Sequence, residues 1–476
     1  MSNDDPFTLD LFNTTTLSSG LGLGVTAFGS DFGAGDSDTG QASTPAEPEP
    51  QRPSQLVRTL RRAASDKQSG DDFVLATDRG LARGWKQRTR DNLDAIRLAA
   101  ELESADRPAT REEQARLIRF TGFGATELSN AVFRRPGEDG FRAGWGEMGA
   151  ELEEIVSSTD YASLARCTQY AHFTPEFVVR AMWAGLQRLG WRGGKVLEPG
   201  IGTGLFPALM PTALRDQVHV TGVEIDPVTA RIARLLQPRA RILNADFARA
   251  DLPASFDLAI GNPPFSDRTV RSDRAYRSMG LRLHDYFIAR SIDLLKPGGL
   301  AAFVTSSGTM DKADRSAREH IARTADLVAG IRLPEGSFRA DAGTDVVVDI
   351  LFFRKRRHDE AEGDQSWLDT DEVRPGEGDD GTIRINRWFA RHPDFVLGTH
   401  ATTSGPFGEA YTCLSHPGVD LAGALGVGDL LGFGRARVER DERDGERADR
   451  GEDGLRESGL HGRASFAPSS PRLAGV

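Results

Sequence analysis

Apolar residues concentrate between about residue 73 and residue 400, and their period changes along the way. From Phe73 the spacing is helical. Leu81 and Trp85 lie four apart, and Leu93, Ile96 and Ala100 continue the recurrence to about Leu102. Thr110-x-x-Glu113 is a capping box, which predicts a helix over Glu112–Ile118 ended by the glycine loop Thr121-Gly122-Phe123-Gly124. A further helix is predicted over Glu176–Leu189, with Thr174 as its N-cap and Pro175 as its first residue.

From Lys195 the pattern alternates. Short apolar runs at Lys195–Glu198, Val218–Glu224, Arg241–Ala245, Phe256–Gly261, Leu300–Thr305, Leu327–Leu333 and Thr344–Arg354 read as buried strands. Helical stretches separate them: one from near Leu205, then Pro227–Gln237, Arg282–Leu295 and Asp311–Arg323. Strands alternating with helices predict an α/β fold with a doubly wound, mostly parallel sheet.

The ends differ from this middle. Only 38% of the 476 residues are hydrophobic, against 52 glycines and 24 prolines, which predicts disordered ends around a folded centre. The organisation expected is a disordered segment 1–54, a small helical leader 55–158, the α/β domain 159–357, an acidic loop 358–381, a small C-terminal element 382–421 and a disordered tail 422–476. Phe7–Phe28 reads as a floppy tail or a docking segment, and Ser54–Ser65 as a short helix.

The net charge of −11 argues at first against a nucleic-acid partner. Residues 359–380 change that picture. They hold ten acids and one base, so they contribute −9 and leave −2 for the remainder. No apolar run approaches a bilayer span and no signal peptide opens the chain, so neither a membrane nor secretion is expected. Two cysteines, Cys167 and Cys413, fit a reducing cytoplasm, and the nine histidines lack ligand spacing, so no metal is expected.

Candidate chemistry lies between Val196 and Phe265. The first predicted strand runs into Glu198-Pro199-Gly200-Ile201-Gly202-Thr203-Gly204. A strand, a glycine turn and a helix let a ligand approach the backbone closely. A tight βα turn without a ligand has the same appearance. Glu224 ends the second strand 20 residues past Gly204, where an acid grips ribose hydroxyls in nucleotide-binding folds. Asp226 reads as the first-turn acid of the next helix. Asp246 follows the third strand, either as an acceptor for an adenine amine with Phe247 lying on the ring, or as a cap before a turn. The fourth strand empties into Asn262-Pro263-Pro264-Phe265. Two prolines end the ladder and stiffen the loop. The Asn262 amide oxygen and the Pro263 carbonyl are acceptors, and Phe265 gives a flat face. That set suits a planar, amine-bearing base drawn out of its stack. Arg268, Arg271, Arg274 and Arg277 follow at three-residue spacing, as a phosphate-contacting loop or a solvated charged one.

These stations resemble those of the S-adenosylmethionine-dependent amino-methyltransferases. Residues 160–400 resemble, more narrowly, the methylase region of large phage and plasmid proteins that join an N6-adenine DNA methylase to a helicase. The resemblance implies a seven-stranded sheet whose last strand, Thr344–Arg354, is inserted antiparallel. It implies S-adenosylmethionine as cofactor, held by Thr174, Glu198, Pro199, Gly200, Gly202, Gly204, Glu224, Asp246 and Phe247, with Phe173 beside Thr174 in the same pocket. It also implies that Asn262, Pro263, Pro264 and Phe265 hold the target amine of adenine in DNA. The leader resembles the segment preceding that methylase, and its aromatic-glycine loop reads as core packing before it reads as a DNA or methylase contact.

Two other functions stay open at this level. Asn-Pro-Pro-Phe also suits an RNA guanine-amine methylase or, in a related form, a protein glutamine methylase. A catalytically vestigial DNA-binding accessory of a mobile element is the reading without enzymology. The chain contains no Gly-x-x-x-x-Gly-Lys-Ser/Thr phosphate loop. The chain therefore reads either as a stand-alone methylase or as a shortened form, the latter with a helicase domain or protein supplied separately.

Overall fold

The computed structural model describes residues 70–134, 140–169, 173–375, 382–405 and 408–426. Readings of residues 1–69, of His172 and of the tail beyond Gly426 lie outside the described residues.

Seven strands build the central sheet: β1 (Gly194–Pro199), β2 (Val218–Glu224), β3 (Arg241–Asn244), β4 (Phe256–Gly261), β5 (Leu295–Ser306), β6 (Ala325–Leu333) and β7 (Val348–Lys355). Their order is β3-β2-β1-β4-β5-β7-β6. The first five pair in parallel, and β7 lies antiparallel between β5 and β6. This is the doubly wound methyltransferase sheet with its last strand inverted. Runs such as Phe256–Gly261 are apolar because both sheet faces are covered. The strand order reverses at β1, which opens a crevice outside the carboxyl ends of β1, β2 and β4.

Several boundaries move. The helix after the Thr-Pro step spans Glu176–Arg188, and its N-cap is Pro175, not Thr174. Pro175 holds an extended ψ of 143°, so the helix begins one residue later than the capping pattern predicts. Lys296–Gly299, which falls between the helix expected over Arg282–Leu295 and the strand expected over Leu300–Thr305, belongs to β5, and a register shift between Phe256 and Leu258 absorbs it. The single helix expected over Asp311–Arg323 is two, Gly308–Asp311 and Ser316–Ala322. The backbone leaves helix at Lys312, whose φ and ψ are −65° and 147°. The helix expected from Phe73 starts at Trp85, because Phe73 and Leu75 donate backbone hydrogen bonds to the Leu236 and Ala208 carbonyls instead.

Five leader helices, Trp85–Ser104, Arg111–Leu117, Thr126–Val132, Gly146–Ile155 and Ser158–Cys167, pack on the sheet domain. The capping box at Thr110 and Glu113 is formed in both directions. One continuous apolar cluster joins Leu93, Ile96, Phe120 and Phe123 of the leader to Trp183, Phe206 and Val196. A buried polar seam reinforces it. Arg79 pairs with Glu176 at 2.7 Å, and the Arg88 guanidinium donates to the carbonyls of Ala82, Ala340 and Asp341.

The acidic segment is partly ordered by pairing. Thr370–Val373 (β8) lies antiparallel to Ile383–Asn386 (β9), and Arg387 bonds to Asp369 and Asp371. A hairpin, Thr399–Gly405 (β10) and Gly408–Leu414 (β11), extends the folded region past His400, where the apolar pattern predicts an end. It docks at the edge strand β6 through Arg332. That side chain is fully buried and bonds Asp349 twice at 2.8 Å, Asp311 at 2.8 Å and the Tyr411 hydroxyl at 3.1 Å.

Candidate active site

The crevice is a cleft of about 1100 Å³, counted to its open mouth. Its floor is the turn after β1. Gly200, Gly202 and Gly204 all hold left-handed backbone, with φ of 70°, 57° and 84°. The turn stays on the sheet because the Gly200 and Ile201 amides donate to the Val223 carbonyl at 2.8 and 3.0 Å. Gly222 makes this possible, since a Cβ there would fall 2.4 Å from Ile201 Cδ1.

Glu198 and Glu224 face this turn from the ends of β1 and β2. Glu224 accepts from the Gly202 amide through Oε2 and from the Asp226 amide through Oε1, both at 2.9 Å. Burial pushes its pKa up to about 7, while those amide hydrogen bonds hold it lower than burial alone would. The Glu198 pKa rises well above the carboxylate range, through burial first and the charge of Glu224 second. Its Oε2 is buried and has no hydrogen-bond partner among the described residues. Asp226 is the N-cap of the helix Pro227–Leu236. It accepts from the Thr229 amide at 2.7 Å and from the Ser163 hydroxyl at 2.7 Å, and it also lines the cleft.

Thr174, Glu198, Gly200, Gly202, Glu224, Phe247, Asn262 and Pro264 all line this one cleft, together with Phe173. The glycine turn and the Asn-Pro-Pro-Phe loop touch: a Cβ on Gly200 would lie 3.9 Å from Pro264 Cδ, and one on Gly261 would lie 3.6 Å from Glu198 Cγ. Pro199 is buried as the last residue of β1, and Gly204 caps the short helix Leu205–Ala208. Pro263 is buried. Phe265 stands beside the lining, its ring 6.4 Å edge-on from His284.

Two of the sequence-derived residues sit differently from the rest. Asp246 is outside the cleft lining and organises its own turn, accepting from the Ala248 amide at 2.8 Å. Phe247 is a buried wall, 4.8 Å from the Phe287 ring and beneath the Arg290 guanidinium. The four arginines lie outside the lining. Arg271, Arg274 and Arg277 are exposed and Arg268 is half-buried. Their loop is closed at its base by the Val270 amide on the Leu281 carbonyl and by the Tyr286 hydroxyl on Asp273.

Sequence reasoning missed Ile201, Thr203, Phe206, Ile225, Leu164, Cys167 and Phe287, which also line the cleft. Ile225 was the easiest of these to find, being the apolar residue directly after the acid that ends β2. The leader loop is the larger omission. Phe120, Gly122 and Phe123 belong to the lining, and both phenylalanines also belong to the core. Among the described residues, no group of three or more His, Cys, Asp or Glu is arranged to hold a metal ion. None of their helices is long and apolar enough to cross a membrane.

Residues 153–374, which contain this sheet and cleft, match the family model for N-6 DNA methylases. That match covers 222 of the 476 residues, just under half of the chain. Among curated proteins it is similar to the defense against restriction protein B of Escherichia phage P1, 30% identical over 197 residues, covering 40% of this chain and 8% of the phage protein. It is similar to the type II methyltransferase M.XamI of Xanthomonas campestris pv. amaranthicola, 29% identical over 207 residues, covering 39% of this chain and 38% of that one. It is also similar to a tRNA1(Val) (adenine(37)-N6)-methyltransferase of Porphyromonas gingivalis, 32% identical over 143 residues, covering 27% of this chain and 56% of that enzyme. The chain thus spans between a twelfth and somewhat over half of the length of these relatives.

Proposed function

We propose that the protein transfers a methyl group from S-adenosylmethionine to the N6 amine of adenine in DNA. The observation that carries this reading is the charge of the cleft beside Asn262. Its described lining contains three carboxylates, Glu198, Glu224 and Asp226, and no Lys, Arg or His. Buried acids without a basic partner suit a cationic ligand, which relieves their mutual repulsion and their desolvation. The unpartnered Oε2 of Glu198 is an acceptor for an ammonium, Glu224 for ribose hydroxyls, and the left-handed glycines allow close approach to the backbone.

When bound, S-adenosylmethionine supplies an electrophilic methyl group on a positively charged sulfur. The residues of the chain supply orientation. The adenine amine is a weak nucleophile because its lone pair is delocalised into the ring. Asn262 Oδ1 and the Pro263 carbonyl would accept its two hydrogens and free the lone pair toward the methyl group. Phe265 would stack on a base flipped from the helix, at an unstacking cost of a few kcal/mol. Arg268, Arg271, Arg274 and Arg277, which follow Phe265 directly, would contact phosphates and position the strand.

The family model supports DNA as substrate. A second reading keeps the chemistry and changes the polymer to RNA. The tRNA adenine-N6 relative favours it, and favours adenine over guanine as the RNA base. A helicase partner and a cytoplasmic site of action belong to the same proposal. The test is a transfer assay with methyl-labelled S-adenosylmethionine, in which the digested nucleosides are separated. Label in N6-methyladenine from DNA is expected. Label confined to RNA moves the assignment to the second reading, and absence of label with cofactor bound overturns both.

A further inference from the structure

The leader loop Phe120–Gly124 faces the cleft, and one side chain fixes it there. Asn92, on the helix Trp85–Ser104, is fully buried. Its Nδ2 donates to the Gly122 carbonyl at 2.5 Å, and its Oδ1 accepts from the Thr121 amide at 2.8 Å. Both ends of the amide are thus spent on two consecutive residues of one loop. Gly122 sits at φ +63°, and a Cβ there would come within 3.3 Å of Phe173 Cε2. On the other side of the same ring, a Cβ on Gly202 would lie 3.7 Å from Phe173 Cε1. The Phe173 ring is therefore held between two glycines, one from the leader and one from the turn after β1.

We infer that the leader is a wall of the cofactor cleft, and that Asn92 is the positioning residue that sets this wall. The inference rests on the reading of the cleft as an S-adenosylmethionine site and deepens it. The methyltransferase sheet alone supplies the acids and the glycine turn. Phe120 and Phe123, from outside it, close the space with aromatic rings and exclude water. Aromatic rings attract cations, and a drier surround strengthens the attraction of Glu198 and Glu224 for a positively charged ligand. The leader thereby acts in cofactor affinity, not only in stability.

The test uses the full chain and S-adenosylhomocysteine or S-adenosylmethionine as probe. In the wild type, ligand should slow hydrogen exchange of the amides at 120–124 as well as those at 200–204. Asn92→Ala should weaken S-adenosylmethionine binding by about tenfold or more, the scale of removing its two buried hydrogen bonds. Its turnover at saturating cofactor should stay near wild type while the KM for cofactor rises. Gly122→Val is the second variant and should raise the same KM by crowding Phe173. A wild type that binds cofactor with no change of exchange at 120–124 overturns the inference and leaves the functional reading standing. A wild type that binds no cofactor overturns the functional reading, and the role of Asn92 falls with it.

Discussion

Glu198, next to last on β1, and Glu224, last on the neighbouring parallel β2, are buried carboxylates, and the charge of Glu224 adds to burial in raising the Glu198 pKa. Such a pair disfavours the folded state when it ionises. It persists in a position where a cation would be held, which is the electrostatic basis for assigning the cleft.

The pH dependence follows with a definite sign. The Glu224 pKa rises from 4.5 to about 7 in the folded protein. Below pH 4.5 both folded and unfolded states are protonated there and the residue contributes nothing. As pH rises from 4.5 to about 7, only the unfolded state ionises readily, so stability falls; above that window the loss is constant. Glu224→Gln should therefore gain on the wild type by about 3 kcal/mol between about pH 4.5 and pH 8. Urea unfolding of both proteins across that range measures it. A pH-independent difference contradicts the burial of an ionisable group at this position.

Asn262→Ala should lower methyl transfer by about 10²–10³-fold, the scale of removing one preorganised acceptor or donor from a reacting centre. Cofactor binding should persist, because Glu198, Glu224 and the glycine turn are left intact. Calorimetry paired with a turnover assay separates the two effects. Unchanged turnover removes Asn262 from the chemistry.

The arginine loop makes a salt-dependent prediction. Replacing Arg271, Arg274 and Arg277 by alanine should weaken DNA binding without regard to sequence. The slope of log affinity against log salt should become shallower by about 0.9 for each phosphate that the variant no longer neutralises. All three side chains are exposed, so the fold should survive. Equal salt slopes for wild type and variant count against the loop as a phosphate-binding element.

Arg332 predicts stability, not activity. Its removal leaves the buried Asp349 and the half-buried Asp311 without their shared cation. Arg332→Ala should cost about 3–5 kcal/mol. Arg332→Ala combined with Asp349→Ala should recover part of that cost, because one of the stranded charges is gone. Chemical denaturation of the two variants checks the order.

The strands and the cleft floor were legible in the sequence for a physical reason. β4 is buried along nearly its whole length, so its bounds follow from apolar composition alone, and the glycines mark the left-handed turn wherever it folds. Helix ends were less legible. Pro175 and Lys312 adopt extended backbone that no local pattern marks, and Lys296–Gly299 joined β5 through a register shift that only the partner strand reveals. Asp246 illustrates a different limit. An acid after a strand serves equally as ligand acceptor or as cap, and here the Ala248 amide takes it. The leader wall was not legible because Asn92 and Gly122 are 30 residues apart, and Gly122 and Gly202 are 80 apart. The hairpin at Thr399–Leu414 carries few large apolar residues and is held by Arg332, a residue that the hydrophobic pattern does not flag.

The central claim is methyl transfer to adenine in DNA. It is tested most directly by offering the purified protein unmethylated DNA and tRNA together with methyl-labelled S-adenosylmethionine, and resolving the nucleosides by mass spectrometry. Asn262→Ala serves as the blank. The account predicts labelled N6-methyl-deoxyadenosine with the wild type and almost none with the variant. Label only in ribonucleosides, or equal label in the variant, would contradict it.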